Sequence, residues 1–140
     1  MINEFRGQYR FLSNFYPCLI EFEGNVYISV EHAFQAAKTL DEDWRESIFW
    51  ARTPSDAKRI GRKVPLREDW EEIKLSVMEN LLRQKFNIFD FKSALLATGD
   101  EELIEGNWWG DTFWGVCNGQ GENHLGKLLM KIRSEIRANL

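Results

Sequence analysis

The sequence predicts a mainly helical α+β fold with a small β-hairpin near its N-terminus. Two short strand-like segments separated by a glycine-containing turn favour the hairpin. Apolar residues then recur at helical spacing through much of the remaining chain. The chain has 140 residues and only three prolines, with no repeat and no linker, so we expect one compact domain over residues 1–140.

The predicted elements follow in order from the hairpin to the C-terminus. The hairpin joins residues 18–22 to residues 26–30 through the turn Glu23-Gly24-Asn25. A first helix begins at Ser29 or Val30 and runs to about Leu40, and its apolar stripe is Val30, Ala33, Ala37 and Leu40. Further helices are predicted over residues 41–51, 54–63, 67–86, 89–98 and 124 onwards, the last of them capped by Asn123.

Within two of these helices the apolar residues define the buried side. The helix over residues 67–86 has Trp70, Ile73, Val77 and Leu81 on one face. The last helix aligns Leu125, Leu128, Leu129, Ile132 and Ile136.

Composition and charge narrow the function classes. A net charge of -4 argues against a broad nucleic-acid surface, although a modified base or a nucleic-acid end remains a possible substrate. No signal peptide and no apolar run of membrane length is evident, so we expect a cytoplasmic protein without membrane contact. Cys18 and Cys117 are expected to be free thiols. The two histidines have no ligand spacing, and we expect no metal and no cofactor.

The segment Trp108-Trp109-Gly110-Asp111-Thr112-Phe113-Trp114-Gly115 surrounds one carboxylate with four aromatic rings. No helical or strand period organises these rings, which indicates a site around Asp111. The alternative is an aromatic plug in the core of a small domain. A carboxyl group in such an apolar pocket would suit acid–base chemistry.

The first helix brings a second set of reactive groups to one side. An advance of about 100° per residue places Glu31, Phe34, Gln35 and Lys38 in one arc beside the apolar stripe. Glu31 lies in the first turn, where the helix dipole favours a carboxylate. A desolvated Lys38 could attack an open-chain sugar aldehyde and form an imine. The alternative is an ordinary solvated helix face.

One locally basic run stands out in this acidic chain. Lys58, Arg59, Arg62, Lys63 and Arg67 place five cations within ten residues. Arg59 and Arg62 are our candidates for binding the phosphate group of a small ligand. A solvated helix face explains the run equally well.

Several segments taken together resemble the NADAR or YbiA-like N-glycosidases, over nearly the whole chain. They are residues 11–15 (FLSNF), 31–38 (EHAFQAAK), Gly61-Arg62, Trp70, Met78, Lys85-Phe86, Leu103-x-Glu105, Asp111-x-x-Trp114-Gly115 and residues 123–133 from Asn123 to Arg133. The resemblance implies a compact, mainly helical α+β domain that hydrolyses N-glycosidic bonds of ribosylated bases.

The resemblance also implies roles for single residues. Glu31 and Asp111 become the catalytic carboxylates, and Lys38 becomes an amine that faces the sugar. The implied pocket-lining residues are Asn14, Phe15, Gln35, Trp70, Trp114 and Asn123. Trp108 and Trp109 precede Asp111 where we expect the family to vary, which could alter substrate choice without changing the chemistry.

Three functions remain open from the sequence. The first is hydrolysis of ribosylamino-pyrimidine phosphates, which are early intermediates of riboflavin biosynthesis. The second is removal of ADP-ribose from guanine in nucleic acid. The third is a noncatalytic module that binds ADP-ribose or another nucleotide. The sequence does not determine the oligomeric state.

Overall fold

A computed structural model describes all residues, 1–140, and their backbone contacts group them into two units. We call residues 14–85 the central unit; the terminal unit comprises residues 1–13 and 86–140. The single domain predicted over residues 1–140 stays a prediction. No helix combines the length and the apolar character that a bilayer crossing requires.

The central unit contains the predicted hairpin and four helices. Strands β1 (Pro17–Phe22) and β2 (Asn25–Ser29) pair antiparallel, with an irregularity between Pro17 and Ile20. The helices are α1 (Val30–Ala37), α2 (Glu42–Phe49), α3 (Pro54–Gly61) and α4 (Trp70–Lys85). Helix α1 packs against both strands and against the other three helices, so it forms the centre of this unit.

Helix α1 is buried on every side. All eight of its residues are buried, including Glu31, His32 and Gln35. The predicted stripe is confirmed at Val30, Ala33 and Ala37 but is wrong at Leu40, which is 62% exposed. Leu40 lies outside because α1 ends at Ala37, before the chain turns into α2.

The buried side of α4 is rotated from the predicted one. Trp70 and Leu81 are buried as expected, whereas Ile73 and Val77 are only half-buried. Met78 and Lys85 are buried instead, because α4 packs against β1 as well as α1.

The terminal unit contains a 3₁₀ helix (Gly7–Leu12), α5 (Phe89–Ala97), β3 (Gly106–Asn107), β4 (Val116–Cys117) and α6 (His124–Ala138). The 3₁₀ helix and the short parallel pair β3–β4 were not predicted. The predicted α6 stripe is confirmed at Leu125, Leu129 and Ile132, which are buried, whereas Leu128 and Ile136 are only half-buried. Capping by the Asn123 side chain is wrong, because Asn123 is left-handed at φ 54° and bonds elsewhere.

Candidate active site

Helix α1 begins at a network that fixes the backbone of Glu31. Ser29 Oγ accepts a hydrogen bond from the backbone N–H of His32 at 3.0 Å and lies 2.7 Å from His32 Nδ1. The other ring nitrogen of His32 lies 3.0 Å from the Ala51 carbonyl oxygen. Burial lowers the pKa of His32, so the imidazole is neutral here and its role is structural. The Glu31 N–H donates to the Asn14 carbonyl oxygen at 3.1 Å.

The Glu31 carboxylate is paired with an amide one turn later on the same helix. Gln35 Nε2 donates to Glu31 Oε2 at 2.5 Å. Glu31 is 8% exposed and Gln35 is 3% exposed, so this bond is shielded from bulk water. A hydrogen bond from a neutral amide stabilises an ionised carboxylate without neutralising it.

Other predicted pocket residues of the central unit lie close to this pair in the fold. Asn14 Nδ2 contacts Met78 Sδ at 3.5 Å, while its buried Oδ1 receives no hydrogen bond. Trp70 is buried, and its ring centroid lies 5.1 Å from that of Phe34. Phe15, which follows Asn14, is 37% exposed.

Lys38 follows α1 and lies among charged side chains from three helices. Burial lowers its pKa, and Lys58, Arg62 and Lys74 lower the pKa further, while Glu31 opposes the shift. Lys74 belongs to α4 and also pairs with Glu71 at 2.9 Å. Sequence reasoning missed Lys74, although its position one helical turn after Trp70 places it on the same side of α4.

The two arginines predicted to bind phosphate differ in their surroundings. Arg62 belongs to the group of cations that acts on Lys38. Arg59 is exposed and forms an ion pair with Asp56 at 3.5 Å. A substrate contact stays a prediction for both.

In the terminal unit, residues 108–115 form a loop between the parallel strands β3 and β4. Asn107 holds the middle of the loop, because its side chain accepts from the Asp111 N–H at 3.0 Å and donates to the Asp111 carbonyl at 2.8 Å. Asp111 Oδ1 in turn accepts from the N–H groups of Phe113 and Trp114, at 3.1 and 2.9 Å. One carboxylate oxygen of Asp111 therefore shapes the loop, and no sequence pattern predicts the Asn107 contacts.

The rings of this loop fall into two groups. Trp108 and Trp109 meet edge to face at 4.9 Å, and the Arg6 guanidinium lies 3.8 Å from the Trp108 ring centroid. Phe113 packs against Trp114 at 4.8 Å and against His124 at 4.5 Å. Trp108 is 65% exposed and Trp109 is 47% exposed, so a core plug does not describe these two residues.

Both amide atoms of the Asn123 side chain form hydrogen bonds with backbone groups. Its Oδ1 accepts from the Glu105 N–H and its Nδ2 donates to the Leu103 carbonyl, each at 3.0 Å. Gly126 makes room for this arrangement, since a Cβ at that position would lie 2.4 Å from Asn123 Nδ2. Asn123 therefore anchors the Leu103–Glu105 segment, and its predicted contact with substrate stays a prediction.

Comparison with known proteins decides the family. The model of the NADAR domain matches residues 3–137. The chain belongs to the NADAR family. It is 42% identical to the N-glycosidase YbiA of Shigella flexneri, over 89% of this chain and 79% of that protein. It is 40% identical to the N-glycosidase Npun_R5314 of Nostoc punctiforme, over 92% of this chain and 86% of that protein.

Two further NADAR comparisons bear on fold and pathway. The NMR structure of the E. coli protein YbiA matches with a TM-score of 0.84 and 37% identity, covering 99% of this chain and 88% of that one. The Riboflavin biosynthesis protein VVA0006 of Vibrio vulnificus is 40% identical over 91% of this chain but only 35% of that protein. The predicted family, the mainly helical α+β fold and the class of N-glycosyl hydrolase are thus confirmed.

Proposed function

We propose that this NADAR protein hydrolyses the bond between ribose C1′ and the amino nitrogen attached to the pyrimidine in ribosylamino-pyrimidine phosphates. The observation that carries the proposal is the buried Glu31–Gln35 pair beside Lys38, within a group of cations. The names of its relatives, which include N-glycosidases and riboflavin biosynthesis proteins, support both the bond and the pathway. We also propose a cytoplasmic location, because Cys18 and Cys117 are free thiols.

The cations supply the reason for a phosphorylated substrate. Lys58 on α3, Arg62 just after α3 and Lys74 on α4 act on Lys38, which follows α1. A phosphate group among these side chains would form charge-assisted hydrogen bonds and relieve their mutual repulsion.

In the hydrolysis the C1′–N bond breaks and its electron pair leaves with the amino nitrogen attached to the pyrimidine, which gains a proton. Water adds to C1′ and loses a proton, so the products are ribose 5-phosphate and free pyrimidine. Positive charge develops at C1′ as the bond breaks, and an ionised carboxylate stabilises it. We assign that role to Glu31, because Gln35 donates to its carboxylate. Asp111 stays the second predicted carboxylate.

A covalent variant uses Lys38 in place of the first water. Its Nζ would bond to C1′ as the pyrimidine leaves with the proton that the amine loses, and the sugar would open to an imine that water then hydrolyses. The lowered pKa of Lys38 supports this route, since only a neutral amine is nucleophilic. Borohydride added during turnover should trap a sugar on Lys38. No adduct during sustained turnover would count against the imine.

The decisive experiment measures release of free pyrimidine by mass spectrometry. We expect Glu31→Gln to lower kcat by about 10²-fold or more, because the variant loses the negative charge. Asp111→Asn tests the second carboxylate, and Glu46→Gln, an exposed glutamate on α2, is the matched control. Full activity in both Glu31→Gln and Asp111→Asn would contradict the two-carboxylate scheme.

The same assay separates the remaining functions. An oligonucleotide that carries ADP-ribosylated guanine is compared with the pyrimidine phosphate at equal concentration. Faster release of ADP-ribose from the oligonucleotide than of pyrimidine from the pyrimidine phosphate would show that our proposed substrate is wrong. Calorimetric binding without turnover of either compound would favour a noncatalytic module.

A further inference from the structure

Helices α1 and α3 approach each other closely at Gly61. A Cβ atom at this position would overlap Gln35 Oε1 and would lie 2.7 Å from Gln35 Cδ and 3.0 Å from Gln35 Cβ. Gly61 is buried, and its backbone lies outside the left-handed region, so the requirement here is for space. Any side chain at position 61 must displace Gln35.

The Gln35 amide has one favourable orientation in this space. Its Nε2 donates to Glu31 Oε2, and its buried Oε1 lies against Gly61 without a hydrogen-bond donor. The reverse orientation would turn the amide oxygen towards the carboxylate and bury two N–H groups against a glycine Cα. An oxygen against Cα–H is the less costly contact. The contact with Gly61 therefore selects the orientation in which the N–H reaches Glu31.

We propose that Gly61 is a positioning residue for catalysis: by lacking a side chain it holds the Gln35 amide on Glu31 Oε2, which keeps the Glu31 carboxylate ionised and oriented towards the charge that develops at C1′. This inference rests on the proposed role of Glu31. A carboxylate held by a directed hydrogen bond keeps one orientation, which reduces the reorganisation needed in the transition state.

No charged group is removed in the variants that test this proposal. Lys38 interacts with Glu31, and the cations that act on Lys38 also remain: Lys58 on α3, Arg62 just after α3 and Lys74 on α4. A change in pH dependence that accompanies Gly61→Ala therefore reports on the Gln35–Glu31 bond and not on a lost charge.

The test is a double-variant cycle of Gly61→Ala and Gln35→Ala, assayed by pyrimidine release. We expect Gly61→Ala alone to lower kcat by about tenfold or more with little change in KM. The acidic limb of its kcat–pH profile should move to higher pH, because Glu31 loses the donor that favours its ionised form. On the Gln35→Ala background, Gly61→Ala should change kcat by less than about twofold, since the displaced amide is already absent. The double variant also has room for the new methyl group, so it should melt at a higher temperature than Gly61→Ala.

Ile48→Val is the control for stability. Ile48 is fully buried on α2 in the same unit, and this change costs about 1 kcal/mol by the removal of one methyl group. It should lower the melting temperature without moving the pH profile. A moved profile in Ile48→Val would show that general destabilisation suffices and would overturn the proposal.

The outcomes distinguish this inference from the proposed function. Equal effects of Gly61→Ala on both backgrounds, or a loss of kcat with an unmoved acidic limb, would refute positioning through Gln35. If Glu31→Gln is inactive while Gly61→Ala has normal kcat, only the positioning role of Gly61 is wrong. If Glu31→Gln retains full turnover, the proposed role of Glu31 fails, and positioning fails with it.

Discussion

Replacing Asn123 should destabilise the protein through two lost hydrogen bonds. Its side chain bonds the backbone at Leu103 and Glu105 across about twenty residues of sequence, with 3.0 Å at each end. Asn123 is 9% exposed and Leu103 is 0% exposed, so water has poor access to the Leu103 carbonyl that a truncation leaves unpaired, whereas Glu105 is half-buried. The unpaired Leu103 carbonyl costs about 2 kcal/mol and the half-buried Glu105 N–H about 1 kcal/mol, which gives about 3 kcal/mol for Asn123→Gly.

The choice of glycine separates hydrogen bonding from backbone strain. Asn123 has φ 54°, a conformation that glycine adopts without penalty and alanine does not. Asn123→Ala should therefore cost about 1 kcal/mol more than Asn123→Gly. Urea denaturation followed by circular dichroism gives both values from the free energies of unfolding.

Asn139→Ala is the matched control. The Asn139 amide also bonds a backbone carbonyl, that of Glu135, but at an exposed helix end. We expect a change below about 0.5 kcal/mol there, because water replaces the bond. A loss below about 1 kcal/mol in Asn123→Gly would refute the anchoring role that we assign to this side chain.

Three further predictions concern buried or bonded ionisable groups. Burial lowers the pKa of His32 below its ordinary 6.5, so the free energy of unfolding should fall as pH drops below that value; flat urea midpoints between about pH 7 and 5 would contradict this. Burial lowers the pKa of Lys85 from 10.5 to about 8. Between these two pH values the unfolded chain binds a proton that the folded protein does not, so the free energy of unfolding should rise as the pH rises from 8 to 10.5. The free energy of unfolding of Lys85→Met lacks this rise, so relative to wild type it should decrease by roughly 3 kcal/mol from pH 8 to 10.5. A difference that stays constant with pH would contradict the lowered pKa of Lys85. Asp111→Asn keeps the acceptor Oδ1 and should unfold within about 1 kcal/mol of wild type, whereas Asp111→Ala should lose about 2 kcal/mol; equal losses would argue against the turn bonds.

For helix α1, the spacing of apolar residues predicts the position of the helix but not its full burial. The pattern located the helix and placed Glu31, Gln35 and Lys38 on one side of it, and the structure pairs the first two directly. The pattern did not reveal that α1 is enclosed by five other elements, both strands and three helices. Burial on all sides depends on contacts between segments far apart in sequence, and the spacing of apolar residues within one segment carries no information about such contacts.

The terminal unit was harder to predict. Strands β3 and β4 have two residues each, too few for an alternating pattern. The rings around Asp111 indicated an apolar pocket, while the bonds from Asp111 Oδ1 to two backbone N–H groups depend on turn geometry that composition does not encode. Lys74 was missed for a related reason, because its relation to Lys38 arises only from the packing of α4 against α1.

The parallel pair β3–β4 has a consequence for how this protein can diversify. Gly106 lies beside Val116 and Asn107 beside Cys117, so the loop between them leaves and re-enters the fold at neighbouring points. Its shape is fixed by Asn107 and Asp111, whereas Trp108 and Trp109 project at the exposed apex. Substitutions at Trp108 and Trp109 can therefore change the exposed surface of this loop while Asn107 and Asp111 keep its backbone in place, so that the rest of the terminal unit need not refold.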